Sequence, residues 1–345
     1  MTETTFAQRL LTWFDTHGRK DLPWQHDITP YRVWLSETML QQTQVSTVIP
    51  YFLRFVEKFP TLDSLAIADI DDVLPYWSGL GYYARARNLH KTAQTIHQQG
   101  VFPDNLPELE ALSGIGRSTA GAILSIAFNK PHAILDGNVK RVLARYRGIN
   151  GWTGNTQTQK QLWAISEQLT PQQRCADYTQ AIMDLGATVC TRSKPLCLSC
   201  PLQTDCVAYL TQRTAELPTP KPKKTLPVKT CVFLILKNAE EDIYLEKRPP
   251  IGLWGGLWSF PEFTSITDAV SWCMEKNLNI TQQQNLATAR HTFSHYHLDY
   301  TPFMVQTDSP INFVMEGKQT LWYNKKTALL GLAKPIQQLL HETNR

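Results

Sequence analysis

Leu112 to Ala122 reads LSGIGRSTAGA: a helix end, a turn carrying Gly114 and Gly116, and the start of a second helix. Glycines let a chain turn tightly with φ > 0, and such a turn leaves backbone N–H groups uncovered at the N-terminus of the next helix. Uncovered N–H groups at a helix start attract a phosphate. On its own the pattern also fits a plain helix-turn-helix connection, so its meaning depends on the surrounding chain.

Working outward, residues 30–212 carry apolar side chains at helical spacing, as in Ala120, Ile123, Leu124 and Ala127, and contain no strand-like run. Twenty residues beyond Gly116 stands Asp136, directly ahead of GNVKRVLAR, where a carboxylate can cap the following helix. Further on, Cys190, Cys197, Cys200 and Cys206 form C-x6-C-x2-C-x5-C. Four thiolates in one short, loop-rich run bind a metal or a cluster. Structural zinc usually draws on two well-separated close pairs, so the compact run favours a 4Fe-4S cluster, with zinc as the other reading. The segment TRSKPL between the first two ligands holds Arg192 and Lys194, which a loop clamped at both ends can present to phosphate. The remaining cysteines, Cys175, Cys231 and Cys273, are scattered and suit small buried apolar side chains.

A chain of 345 residues predicts about two domains. Its 42% hydrophobic and 19% charged residues belong to the ordinary globular class, not to disordered chains. No run reaches the length of a membrane span, and MTETTFAQRL lacks the basic-then-apolar order of a leader, so a cytoplasmic, bacterial protein is expected. A net charge of +4 is compatible with a polyanionic partner without requiring one. The stretch Lys130 to Arg147 gathers five cations against Asp136, which fits a basic patch or a solvated charge run.

Residues 213–228, RTAELPTPKPKKTLPV, read as a semi-extended Pro/Lys-rich linker. Beyond it the pattern turns to β. TCVFLILK, a polar turn NAEED and IYLEKR predict a hairpin between Thr230 and Arg248. Phe293 to Thr307 predicts another strand, and Ala333 to His341 a last helix.

The hairpin, the cysteine run and Asp136 together closely resemble the helix-hairpin-helix DNA glycosylases that carry an iron-sulfur cluster, over residues 30–212. In relatives similar to endonuclease III, a lysine follows the position of Arg117 and attacks the sugar as an imine-forming amine. Here Ser118 stands there, and a hydroxyl cannot form an imine. That implies a monofunctional, water-using enzyme. LSETMLQQTQV, Leu35 to Val45, and LDGNVKRVLAR, Leu135 to Arg145, resemble signatures of the adenine DNA glycosylase (MutY) family, whose members carry a C-terminal module similar to Nudix hydrolases. LWGGLWSFPEF, Leu253 to Phe263, looks like the opening of a Nudix motif. The magnesium-binding R-E-x-x-E-E helix is not supplied by TSITDAVSWCMEKNL, which implies a binding module without hydrolase activity. The expected architecture is a mostly α helix-hairpin-helix glycosylase domain with an iron-sulfur loop over residues 1–212, its hairpin at 108–128, plus a C-terminal α+β Nudix-like domain over 229–345.

The resemblance implies a monomer that binds double-stranded DNA, with no membrane partner, and removes adenine paired with 8-oxoguanine or guanine. The adenine must be flipped out of the duplex to be reached. Glu37, among Trp34, Leu35 and Leu40, is the implied general acid towards a ring nitrogen, N7, and needs a raised pKa for that task. Asp136 would stabilise the oxocarbenium-like sugar or bond to it transiently, with Asn138 orienting it. Gln42 and Tyr82 look like the residues that enter the base stack, and Gly114, Gly116, Ser118, Arg192 and Lys194 like contacts to DNA. Many family members have tyrosine where this chain has Ser118, which leaves the support of the carboxylates on that side open. Phe293, Ser294 and His295 look like the reader of 8-oxoguanine; the alternative is a surface strand segment. His295 and His297 lack a third ligand nearby and do not make a metal site. Two rival readings are an endonuclease III-like glycosylase/lyase on oxidised pyrimidines and a noncatalytic DNA-binding protein.

Overall fold

The computed structural model describes residues 5–222, 225–308, 319–324 and 329–343. The chain forms two compact units, Met1–Ile67 with Asn88–Lys223, and Ala68–Arg87 with Lys224–Arg345.

The first unit is helical. Thr5 opens α1 (Phe6–His17) through a capping box with Gln8, and Thr29 accepts the Arg32 N–H to open α2 (Pro30–Leu40), with Pro30 in the first turn where its missing N–H is not needed. α3 (Val45–Lys58) and α4 (Leu62–Ala66) follow. The chain then passes through α5 (Ile70–Trp77), α6 (Ala84–Gln99) and the short α7 (Leu106–Glu110) to α8 (Arg117–Phe128). α9 (Gly137–Tyr146), α10 (Thr156–Leu169), α11 (Cys175–Asp184) and a final turn α12 (Val207–Leu210) complete the helices before the β region. α2 buries Tyr31, Val33, Trp34, Leu35, Ser36, Thr38 and Met39, almost its whole circumference, which makes it a central helix. It packs on α8, whose run from Thr119 to Ile126 is likewise buried. Gly121 of α8 is closely packed against the segment that follows this helix. A Cβ on Gly121 would lie 2.4 Å from the Ala133 carbonyl oxygen.

The hairpin expected at 108–128 is α7, a turn and α8. Its two glycines differ in purpose. Gly114 has φ +82°, and a Cβ there would meet the Asn88 Cβ at 2.8 Å. Gly116 is the extended N-cap of α8 (φ −94°) with open space beside it, so only the first glycine needs its conformational freedom. The start of the expected linker is more ordered than its prolines suggest. Leu217 is buried, its carbonyl accepts from Arg145, and Thr219 bridges to Trp152. Lys223 and Lys224 lie outside the described residues.

In the second unit eight strands among the described residues form one mixed sheet, with the path β3 (Trp258–Ser259), β2 (Ile243–Lys247), β1 (Val228–Lys237), β7 (His297–Thr307) and β5 (Ile280–Asn285). β4 (Glu262–Phe263) pairs with β1, β6 (Ala289–Thr292) with β7, and β8 (Thr320–Tyr323) with β2. β1 runs parallel to β7 over its full length, from Val228 opposite His297 to Lys237 opposite Gln306. This central position explains why Cys231 to Leu236 is apolar on both faces. Val232, Leu234 and Leu236 point into a core closed by Ala269 and Cys273 of α13 (Ile266–Glu275), and α14 (Lys334–Thr343) ends the described chain. The expected hairpin is β1 and β2. The expected strand over Phe293 to Thr307 begins instead at His297, because the Phe293 N–H bonds back to the Tyr296 carbonyl at 2.9 Å and closes a turn between β6 and β7. β5 was not legible because it is an exposed edge strand of sequence ITQQQN, with no apolar face to alternate.

Residues 68–87 join the second unit by specific packing. Leu74 of α5 fits against Gly331 and Gly256, where a Cβ on Gly331 would sit 2.9 Å from the Leu74 Cβ. Asp71 pairs with Lys247 at 2.6 Å. The crossing at residues 223 and 224 falls inside the expected linker, whereas the excursion of 68–87 has no signal in the sequence, since helical periodicity does not say which core a helix enters.

Candidate active site

The last turn of α2 and the start of α9 open onto one cavity of about 1090 Å³ in the helical unit. Glu37 from α2 and Asp136 from α9 both line it, together with Gln42, Ser118 and Asn138. The sequence separation of the two acids is closed by α2 packing on α8, which delivers the chain through Ala133 to Asp136.

The two carboxyls are unlike. Glu37, enclosed by the α2 core and facing the cavity, is pushed up to about 8 by burial and, second, by the charge of Asp136. At neutral pH it is therefore mostly a neutral acid. Asp136 is likewise held above its ordinary value, because burial outweighs the N–H groups of Val139 and Asn138 and the charges of Arg141 and Lys140, which favour its anion and have no counterpart at Glu37. The Val139 N–H donates to Asp136 Oδ1 at 2.7 Å, so this residue is the helix cap and the better seat for a negative charge at once. The expected orienting partner Asn138 acts on Asp136 through its backbone N–H, while its side-chain oxygen accepts from Arg141 at 2.8 Å.

Ser118 does not reach towards Asp136 with its hydroxyl. Its Oγ accepts the Leu135 N–H at 2.9 Å and thereby ties the first turn of α8 to the residue preceding the acid. A third carboxylate on the cavity wall, Asp184, is buried and matched by Arg19, whose backbone N–H and guanidinium donate to it at 2.8 and 2.5 Å. The Arg19–Asp184 pair had no sequence signal, being 165 positions apart. Gln41, also on the wall, donates to Thr119 Oγ1 at 3.4 Å. At the cavity rim Gln42 is exposed and held at φ +58°, a left-handed conformation uncommon for a residue with a Cβ.

The cysteine run folds into short 3-10 turns, and all four cysteines line one small pocket with Arg145. Burial and the neighbouring thiols raise Cys200 to about 12 and move Cys197 and Cys206 up as well. No group of three or more His, Cys, Asp or Glu among the described residues is arranged to hold a single metal ion. A four-iron cube sets its ligand sulfurs further apart than one ion does, and an all-thiol donor set around one small pocket fits that group. The loop is mounted on α9. Arg141 donates to the carbonyls of Cys190 (2.7 Å) and Gly186 (2.6 Å), and buried Arg145 to Cys190 Sγ (3.3 Å), Thr191 O (2.7 Å) and Arg192 O (3.0 Å). Two of the five cations of the expected basic patch, Arg141 and Arg145, thus hold this loop. Their signal was the spacing of four between Arg141 and Arg145, which puts both on one helix face. Arg192 and Lys194 are exposed on the loop.

Tyr82 and the Phe293–His295 segment lie in the second unit. Tyr82 is 50% exposed with φ +49°. Phe293 is held by rings, with centroids of His291 at 4.5 Å, Tyr296 at 4.7 Å and Trp254 at 5.8 Å, while Ser294 and His295 are exposed at the turn. His297 is taken by Thr292 Oγ1 at 2.9 Å.

Comparison with known proteins gives two family matches, residues 35–168 to the HhH-GPD superfamily base excision DNA repair proteins and residues 231–342 to the NUDIX domain. An adenine DNA glycosylase of Buchnera aphidicola subsp. Acyrthosiphon pisum is 43% identical over 343 residues, covering 99% of this chain and 98% of that one. The adenine DNA glycosylase of Mus musculus is 34% identical, covering 99% and 79%. Among solved structures a thermostable thymine-DNA glycosylase superposes with a TM-score of 0.54 and 29% identity, over 60% of this chain and 95% of that one. No helix among the described residues is long and apolar enough to cross a membrane.

Proposed function

The chain belongs to the adenine DNA glycosylases of base excision repair, and from that premise we propose that it hydrolyses the N-glycosidic bond of adenine paired with 8-oxoguanine or guanine in double-stranded DNA. The observation that carries the proposal is the pair of unlike carboxyls in one cavity, Glu37 poised as an acid and Asp136 supported as an anion.

Adenine leaves poorly unless protonated. With the flipped base in the cavity, the Glu37 carboxyl delivers a proton to a ring nitrogen, N7 by family resemblance, and the bond to the sugar lengthens. Positive charge builds on the sugar, and the Asp136 carboxylate stabilises it, or bonds to it transiently, until water completes the hydrolysis. Asn138 and Val139 hold that carboxylate through their N–H groups, and Ser118 fixes the segment before it. Gln42 enters the gap left by the extruded base, and Tyr82 stacks in the helix. The strained backbone of both supports such a role. The Gly114–Gly116 turn and the α8 N-terminus take a phosphate, assisted by Arg192 and Lys194. Cys190, Cys197, Cys200 and Cys206 would hold a 4Fe-4S cluster, which would supply a clamp on the loop carrying those two cations. In the C-terminal unit Ser294 and His295 read the altered hydrogen-bonding edge of 8-oxoguanine, with Phe293 as their anchor.

Duplexes with adenine opposite 8-oxoguanine, guanine and thymine test the reading by assay of abasic sites. Release should fall in that order and be slight opposite thymine. Borohydride trapping on oxidised pyrimidine substrates, with strand nicking at the rate of base release, would instead make it a glycosylase/lyase.

A further inference from the structure

The ring of Tyr82 is large, half exposed and carried on a backbone that glycine would adopt more readily, with Gly79 and Gly81 before it also at positive φ (+95° and +76°). Such a turn keeps its shape only if neighbouring groups hold it. Two of them are local. The Trp77 indole N–H donates to the Gly81 carbonyl at 3.1 Å, and the buried Arg85 guanidinium donates to the same oxygen at 3.2 Å while lying between the Trp77 and Tyr82 rings, 5.4 Å from each centroid.

Further supports come from far along the chain. The Ser78 hydroxyl donates to the Leu332 carbonyl at 2.7 Å and accepts the Leu332 N–H at 3.3 Å, and the Tyr83 hydroxyl donates to that same carbonyl at 2.9 Å. Tyr83 in turn accepts the Gly79 N–H at 3.1 Å. Leu332 is itself fixed, being buried and bridged to Trp258 of β3. Arg87 adds a bond to the Gly255 carbonyl at 2.7 Å. The turn bearing Tyr82 is therefore bolted to the same compact unit that displays Ser294 and His295.

We infer that Ser78 and Tyr83 are positioning residues, latching the Tyr82 turn to Leu332 so that the stacking ring and the lesion-reading turn form one body and recognise 8-oxoguanine jointly. The inference rests on the lesion-reading role proposed above. A lesion that engages Ser294 and His295 then also seats the ring, so the two interactions reinforce each other; guanine, which engages the reader less, draws less on the latch. The C-terminal unit thus contributes to specificity through a segment that stands far earlier in the chain, Tyr83 lying 210 positions before Phe293 (293 − 83).

The test is a full-length Ser78→Ala, Tyr83→Phe variant in single-turnover base release from duplexes with adenine opposite 8-oxoguanine and opposite guanine. The ratio of the two rates should fall about fivefold or more, the scale of one or two lost net hydrogen bonds, with the rate opposite guanine within about threefold of the parent. In a Tyr82→Leu background the same pair of substitutions should leave the ratio unchanged. An unaltered ratio in the first variant, or an equal fall in the Tyr82→Leu background, overturns the latch. Amide exchange is read in parallel, and residues 78–83 and Leu332 should exchange about tenfold faster in the variant while β1 and β7 hold steady. Unchanged exchange there, or acceleration spread equally over β1 and β7, overturns it too. A parent protein without any preference for 8-oxoguanine removes the lesion-reading role itself, and the exchange result then still decides the latch.

Discussion

Asp136 does two things that a single substitution can separate. Its side chain caps α9 and its charge faces the cavity. Asparagine caps a helix about as well as aspartate, so Asp136→Asn should leave thermal stability within about 1 kcal/mol of the parent while lowering single-turnover base release by two orders of magnitude or more. A large drop in stability with retained activity would invert the assignment. Glu37 has the opposite character, a burden on the fold that the site requires. Between its ordinary value of 4.5 and about 8 the native state retains a proton that the unfolded chain has released. Its contribution is therefore full below the ordinary value and declines as pH rises to about 8, by up to about 1.4 kcal/mol per pH unit from this group. Denaturant titrations of Glu37→Gln across that range should show the loss with pH become shallower than in the parent. An identical slope would mean that Glu37 ionises normally.

At the scale of elements, the hairpin makes a contrast between two glycines of similar appearance. Gly114→Ala forces a left-handed alanine against Asn88 and should destabilise by about 1–3 kcal/mol and weaken DNA affinity. Gly116→Ala, extended and in open space, should change stability by less than about 1 kcal/mol. Equilibrium unfolding of the two variants checks this, and equal losses would contradict the reading of the turn. The sequence could mark the turn because two glycines beside a helix start are a local signal, but not which of them is at positive φ. Local signals also carried the cysteine run, the cap at Asp136 and the β1–β2 hairpin. What stayed hidden depends on contacts between distant residues: Arg19 reaching Asp184, Arg145 gripping the cysteine loop, Ser118 engaging the Leu135 N–H. The Phe293–Tyr296 turn was hidden for another reason, since its β-branched and aromatic neighbours give the composition of a strand on both sides of it.

Across the whole molecule, motif spacing revealed a helical part and a β part, and two family matches correspond to them. The affiliation of residues 68–87 with the β-containing unit was not readable, because Leu74 and Trp77 would serve either core by periodicity alone, and the Gly256 and Gly331 niche and the bonds to Lys247, Gly255 and Leu332 are contacts between distant residues. The net charge of +4 is also a poor guide, since Arg19, Arg141 and Arg145 are committed to hydrogen bonds within the protein while other cations, such as Arg192 and Lys194, are exposed. The proposed chemistry rests on one arrangement, Glu37 held as an acid in the same cavity as Asp136, the carboxyl that N–H donors and nearby cations support. Single-turnover release of adenine from an adenine–8-oxoguanine duplex, measured from pH 5 to 10 for the parent and for Glu37→Gln, tests it most directly (a range chosen to bracket about 8). The account predicts a parent rate that declines above about pH 8 and a variant that binds the duplex yet releases base at least about 10²-fold more slowly at every pH. A variant within about tenfold of the parent, or a parent rate that keeps rising through pH 10, would contradict it.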